Sequence, residues 1–186
     1  MRLAIERSGD TSFGCIIDKQ DRLLGSAFGH SAEIVQTYLV EFAKSNGTVS
    51  SIGPHSLTRE MVRLFDGDEP VRPISYSAQN VSNFQRRVYK VLEEIPRGKV
   101  TTYGLISKRL GSAPRAVGGA VASNPWPLFI PCQRVVNFDL TIGNYGLCGS
   151  LTREGTVTKR ALLERESVPV IDGRISLTAV WDPTRK

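Results

Sequence analysis

The sequence predicts an α+β protein in two parts, residues 1–78 and 79–186, and three observations carry that expectation. The chain opens with short apolar runs split by polar turns, the pattern of a small antiparallel sheet. Two helical periodicities then run into a stretch rich in proline and polar residues, 68–80, which reads as a link. Beyond it come short helices parted by tight glycine turns, and the positive charge collects there.

In order, residues 2–5, 13–17 and 22–28 are the apolar runs, broken at Ser8-Gly9-Asp10 and again at 18–21. Ser31 is placed to cap a helix whose apolar face is Ile34, Val35, Tyr38, Leu39 and Phe42, and Gly47 closes it. Leu57, Met61, Leu64 and Phe65 mark a second helix ending at Gly67. Past the link, Asn83 is expected to cap a helix with Phe84, Val88, Val91, Leu92 and Ile95 on its buried stripe. Pro96-Arg97-Gly98 stops it. Thr101 or Thr102 caps a short helix over 103–110, closed by Gly111. Pro114 stands at the first turn of another, running to about Ser123. Two short helices on one tight turn have helix-turn-helix form. A last helix is expected over 160–166, with Leu162 and Leu163 inward. The tail 167–186 mixes Val, Ile and Leu with Trp181 and is expected to pack on the body.

Composition narrows the class. A hydrophobic share of 40% with 23% charged residues is that of a soluble globular protein. No apolar run approaches a membrane span and the N-terminus lacks a secretory pattern, so a cytoplasmic setting is expected. Three scattered cysteines do not make a disulfide framework. A Cys15–Cys148 bridge would fit only a hyperthermophile source. Residues 1–83 hold 8 basic and 10 acidic side chains, whereas 84–186 hold 16 and 8, a net +8 that suggests phosphate contact.

The helix after Pro114 sacrifices stability. Gly118 and Gly119 lie in its middle, each costing about 1 kcal/mol relative to Ala, and Ala116, Ala120 and Ala122 are also small. A helix kept this thin approaches something closely, either a neighbouring helix or a nucleic-acid groove.

Residues 130–136, Ile-Pro-Cys-Gln-Arg-Val-Val, are the most informative window. Pro131 makes a rigid corner, and the apolar flanks hold the Cys132 thiol half-buried and aimed. On the cysteine alone, a core residue is the better reading. The surroundings change that. Upstream are Thr101-Thr102-Tyr103-Gly104, Pro114-Arg115-Ala116-Val117-Gly118-Gly119-Ala120 and Ser123-Asn124-Pro125. Downstream are Gly143-Asn144-Tyr145-Gly146 and the run from Lys159 to Glu166. In order and spacing these resemble the O6-alkylguanine-DNA alkyltransferase family over about residues 84–170. One position departs: Gln133 stands where the family motif Pro-Cys-His-Arg has histidine.

The resemblance implies a ribonuclease-H-like N-terminal support and a mainly helical, winged helix-turn-helix C-terminal domain. It implies DNA repair by one irreversible transfer of an alkyl group from O6 of guanine, or O4 of thymine, to Cys132. By the same resemblance the catalytic set is Cys132, Gln133, Glu166, Tyr103 and Asn124. The minor-groove set is Arg115, which would replace the everted base in the stack, with Thr102, Tyr103, Ala116, Gly119, Ala122 and Ser123. The base pocket would be Val121, Pro127, Val135, Tyr145, Gly146 and Lys159. Within it the Cys132 and Val135 carbonyls would accept from the guanine amine, and the Tyr145 and Gly146 amides would meet O6. Arg134 would be a structural ion-pair partner. No metal or organic cofactor is required, the partner is double-stranded DNA containing O6-alkylguanine, and the protein is expected to be a monomer.

Thiol attack needs thiolate, and a free cysteine has a pKa near about 8.5. In the family, histidine and glutamate connect to the thiol through a water. Gln133 cannot take a proton at neutral pH, though it donates to and accepts from water. Either Glu166 serves as base through a water held by Gln133, or the thiol stays protonated and reacts slowly. Three rivals stand beside this reading: a binder of damaged DNA without transfer, a cysteine hydrolase, for which His30 and His55 are the available bases, and a zinc site of Cys15, His30 and His55.

Overall fold

The computed structural model describes residues 1–145 and 155–184. Strands β1 (Arg2–Ser8), β2 (Thr11–Ile17) and β3 (Leu23–Gly29) form the expected antiparallel meander, with Ala4 opposite Cys15 and Phe13 opposite Phe28. The period of two sends alternate side chains to opposite faces. Leu3, Ile16, Leu24 and Ala27 pack under α1 (Ala32–Ala43). Ala4, Phe13, Cys15, Ile17, Leu23 and Phe28 join a larger cluster with α2 (Ser56–Phe65) and the C-terminal half. Covered on both faces, β2 and β3 read in sequence as mainly apolar runs, interrupted by the buried Ser12 and Ser26.

The sheet is mixed rather than antiparallel. A fourth strand, β4 (Ser50–Ile52), pairs parallel with β1 at Leu3 and Ser51, giving the order β3-β2-β1-β4. Three residues of Ser-Ser-Ile are too short and polar to announce a strand.

Helix α1 begins where expected, since the Ser31 hydroxyl accepts from the Ile34 amide at 3.3 Å. Its face is rotated from the expected one: Val35 and Leu39 are buried, but Ile34 is 56% exposed. The helix stops at Ala43, and a single 3₁₀ turn, Lys44–Asn46, carries the chain to Gly47. In α2 the cap is His55, whose Nδ1 accepts from the Leu57 amide at 3.2 Å while Thr58 Oγ1 accepts from the His55 amide at 3.0 Å. The 68–80 segment is tied down. Leu23 and Ser77 amides and the Ser75 and Leu23 carbonyls bond at 2.8 and 2.9 Å, so the segment runs along the outer edge of β3.

Helix α3 (Asn83–Glu93) is capped by Ser82, not Asn83; Ser82 Oγ and Gln85 make a reciprocal capping box. Short strand β5 (Thr101–Thr102) leads into α4 (Tyr103–Leu110), and residues 111–113 join it to α5 (Pro114–Ala122). A parallel partner, β6 (Val135–Val136), pairs with β5. Helix α6 (Gly155–Arg165) starts at Gly155 rather than at 160. The tail packs as expected: β7 (Val170–Ile171), β8 (Arg174–Ile175) and a 3₁₀ turn close a third cluster around Val100, Val136 and Leu163. Among the described residues no helix is long and apolar enough to cross a membrane.

Candidate active site

The Cys132 backbone is fixed from both sides. Upstream, Leu128 adopts φ 72° and Ile130 donates to the Trp126 carbonyl at 2.9 Å, which turns the chain into Pro131. Cys132–Arg134 is one 3₁₀ turn, and the next two residues are β6. Register pairs Thr101 with Val135 and Thr102 with Val136. Thr102 is also the cap of α4, accepting from the Leu105 amide at 3.2 Å. One two-residue ladder therefore ties the reactive turn to the start of α4, with Tyr103 half-buried as the first residue of that helix.

The thiol is more enclosed than expected, 2% exposed rather than half-buried. Its sulfur lies 3.7 Å from the Tyr145 hydroxyl. Gln133 and Glu166 are equally enclosed, at 2% and 3%. Glu166 is held at both oxygens: Gln133 Nε2 donates to Oε1 at 2.8 Å, and Arg134 Nε donates to Oε2 at 2.7 Å. Arg134 Nη1 also donates to the Ile95 carbonyl at 2.7 Å. A carboxylate only accepts, so the amide nitrogen of Gln133 must face Glu166. That leaves Gln133 Oε1 as the other end, buried and without a protein partner.

Lys159 is 1% exposed and donates from Nζ to the Val135 carbonyl at 2.6 Å. This carbonyl is thus already engaged in the free protein. Asn124 links two segments, donating to the Ile130 carbonyl at 3.0 Å and accepting from the Trp126 amide at 3.0 Å. Trp126 is a packing residue, 3% exposed, with its indole N–H on the Leu23 carbonyl at 3.0 Å. Val121, Pro127 and Val135 are buried beside these groups.

Helix α5 presents two faces. Val117, Ala120 and Val121 point inward, and Tyr89 donates to the Ala120 carbonyl at 3.0 Å. Arg115, Ala116, Gly119 and Ser123 are exposed and Ala122 partly so. A Cβ built on Gly118 or Gly119 meets nothing within 4 Å. Packing on a neighbouring helix therefore does not explain either glycine.

The rival sites are not assembled. Cys15 is fully buried against the Met61 sulfur at 3.3 Å, and burial pushes its thiol far above the usual range, which makes it unreactive. His30 is exposed and His55 caps α2. Among the described residues no three His, Cys, Asp or Glu side chains are placed to hold one ion. Gly146 and Cys148 lie outside the described residues.

Residues 83–168 match the family model for the DNA-binding domain of 6-O-methylguanine DNA methyltransferase. A methylated-DNA–protein-cysteine methyltransferase of Thermococcus gammatolerans is 36% identical over 178 residues, covering 89% of this chain and 97% of that one. The protein of the same name from Archaeoglobus fulgidus is 40% identical over 111 residues, 59% of this chain and 73% of that one. The crystal structure of O6-methylguanine-DNA methyltransferase from Pyrococcus kodakaraensis superposes with a TM-score of 0.72 at 31% identity, covering 89% and 99% of the two chains.

Proposed function

The chain belongs to the methylated-DNA–protein-cysteine methyltransferase family, and from that premise we propose that Cys132 accepts an alkyl group from O6 of guanine in duplex DNA. O4 of thymine is the second candidate. The sulfur attacks the alkyl carbon, the carbon–O6 bond breaks, and its electron pair leaves with guanine. The thiol proton ends on the departing base, which Tyr103 helps to neutralise from its position at the head of α4. The thioether is stable to water, so each molecule acts once, without metal or organic cofactor.

Residues 79–186 form the DNA-binding alkyltransferase domain, with α4 and α5 as a winged helix-turn-helix, and 1–78 the ribonuclease-H-like support. Helix α5 lies in the minor groove. Arg115 enters the stack where the guanine has turned out, Ala116, Gly119, Ala122 and Ser123 line the groove, and Thr102 and Tyr103 meet the phosphate beside it. Asn124 ties this helix to the reactive turn. Val121, Pro127, Val135, Tyr145, Gly146 and Lys159 line the base pocket. Lys159 and the guanine amine would share the Val135 carbonyl. The observation that supports the reading best is the open space over Gly118 and Gly119 on the same unit that holds Cys132. The protein acts as a monomer.

Gln133 sets the rate. Its amide nitrogen is committed to Glu166, so its oxygen is the end left to accept from a water at the thiol. A neutral amide orients that water but removes no proton. Transfer is retained but slower than with a base in this position, where general-base help contributes roughly 10²–10⁴ in rate.

The test is intact mass after exposure to duplex DNA carrying O6-methylguanine. Wild type gains one methyl group and Cys132→Ala gains none. Gln133→His is expected to accelerate transfer by at least about tenfold; an unchanged rate would refute this account of the position. The same Gln133 supports a second reading, a binder of alkylated DNA with slow or no transfer. O6-benzylguanine separates the two, because only a transferring protein gains a benzyl group.

A further inference from the structure

We propose that Phe138 is a stacking contact for DNA beside the N-terminus of α4. The inference rests on the proposed action on duplex DNA. Phe138 is 89% exposed, and it is the one exposed large aromatic among the described residues. A singly exposed apolar side chain is ordinary on a protein surface; what distinguishes this ring is its place, on an anchored turn beside the start of α4.

The backbone that carries it is rigid. Asn137 donates twice to Thr141, from its amide to the carbonyl at 3.1 Å and from Nδ2 to Oγ1 at 2.8 Å. Leu140 donates to the Asn137 carbonyl at 3.0 Å, and Ile175 donates to the Leu140 carbonyl at 2.9 Å. The turn is thereby anchored to β8. Phe138 is presented at its tip rather than left on a loose loop.

Its place follows from strand register. β5 and β6 run parallel, with Thr102 beside Val136. The chain leaves β5 as the N-terminus of α4 and leaves β6 as the 137–141 turn, so both emerge at the same end of the ladder. Phe138 therefore stands beside the start of α4, where Thr102 and Tyr103 are proposed to meet a phosphate. The turn also carries Asp139, which DNA would repel. Its Oδ1 is folded back onto the Thr141 amide and hydroxyl at 3.1 and 2.7 Å, in the field of Arg174. The phenyl ring, not the carboxylate, is the group the turn offers outward. Every base has a π face, so an aromatic ring here binds without reading sequence.

The full-length chain and a duplex carrying O6-methylguanine test this by fluorescence anisotropy. Phe138→Ala is expected to weaken binding about 5- to 150-fold, the equivalent of roughly 1–3 kcal/mol for one base–aromatic stack. Its thermal unfolding midpoint should match wild type, since the ring is exposed. Phe138→Trp should bind like wild type, with indole emission quenched on adding duplex. Phe138→Leu should behave like Phe138→Ala. Undiminished binding by Phe138→Ala overturns the proposal. So does recovery by Phe138→Leu, which would make the contact merely apolar, and so does a loss confined to self-association in sedimentation. Wild-type protein that takes a benzyl group from O6-benzylguanine but binds no duplex also overturns it, whereas failure to take that group refutes the alkyl-transfer reading instead.

Discussion

Glycines in two regions of this molecule serve opposite purposes. Gly14 and Gly25 lie in the sheet beneath α1, where an added Cβ would come within 2.6 Å of Leu39 and Val35, or of the Phe42 ring. Gly118 and Gly119 lie in α5, where an added Cβ would meet nothing. The first pair is explained inside the molecule: small residues let helix and sheet close together. The second pair weakens its own helix for no internal gain. Glycine beneath a neighbour records a contact already made, whereas the space over Gly118 and Gly119 is what the proposed groove contact would fill. The Cys132 turn belongs with the filled region, since Gln133 and Arg134 both bond Glu166, although Gln133 Oε1 has no protein partner.

The largest effect tests that last statement. Glu166→Ala removes the carboxylate from the largely buried Arg134, which keeps its bond to the Ile95 carbonyl, and should cost about 3 kcal/mol, the lower end for a buried pair. Urea unfolding should show a midpoint lowered accordingly; a drop under 1 kcal/mol, the range of exposed pairs, would mean the reactive turn is not held as described. Next, Gly25→Ala drives a methyl group into Phe42 and should cost about 1–3 kcal/mol by overpacking. The double variant Gly118→Ala with Gly119→Ala should move the other way, gaining up to about 2 kcal/mol in stability while binding DNA more weakly. A double variant that binds duplex as well as wild type would break the contrast.

The smallest effect is one of pH, at the half-buried cap of α2. Burial, then the Arg2 charge, lowers the His55 pKa below its usual 6.5. The unfolded chain therefore holds the proton more readily than the folded one. Stability rises with pH through the window between the lowered value and 6.5, and falls on acidification through it. The geometry agrees, because Nδ1 accepts from the Leu57 amide only when unprotonated. His55→Asn should flatten the difference in melting temperature between pH 5.5 and 7.5 (about half a degree or more in wild type would be measurable).

Much of this was legible from residue order. The three-stranded meander, the caps at Ser31 and Thr102, the Gly111 turn and the Pro114 start all follow local rules that survive in the fold. Asn83 was misread because Ser82 and Gln85 form the reciprocal pair, while a single polar residue beside them looks equally able. Ile34 misled because the stripe of α1 includes it by spacing, although the helix turns Val35 and Leu39 to the sheet instead. The β5–β6 pairing joins residues 34 apart through two-residue strands, far too short to carry a period. At the site, the resemblance singles out Cys132 and Glu166 as candidates. The resemblance implies an ion pair for Arg134, and Glu166 is its partner; the bond from Gln133 to the same carboxylate is not legible, since no local pattern says which way an amide faces.

The seam along β3 has an evolutionary consequence. Ser26 donates to the carbonyls of Pro125 and Pro127 at 2.9 and 3.2 Å, and the Trp126 indole reaches Leu23 and Leu24. A gene trimmed to the recognisable stretch would bare an indole and an unzipped border, inviting aggregation. The half without any signature thus supplies its companion with a main-chain border and with apolar side chains such as Phe28, which lies against the Tyr145 ring.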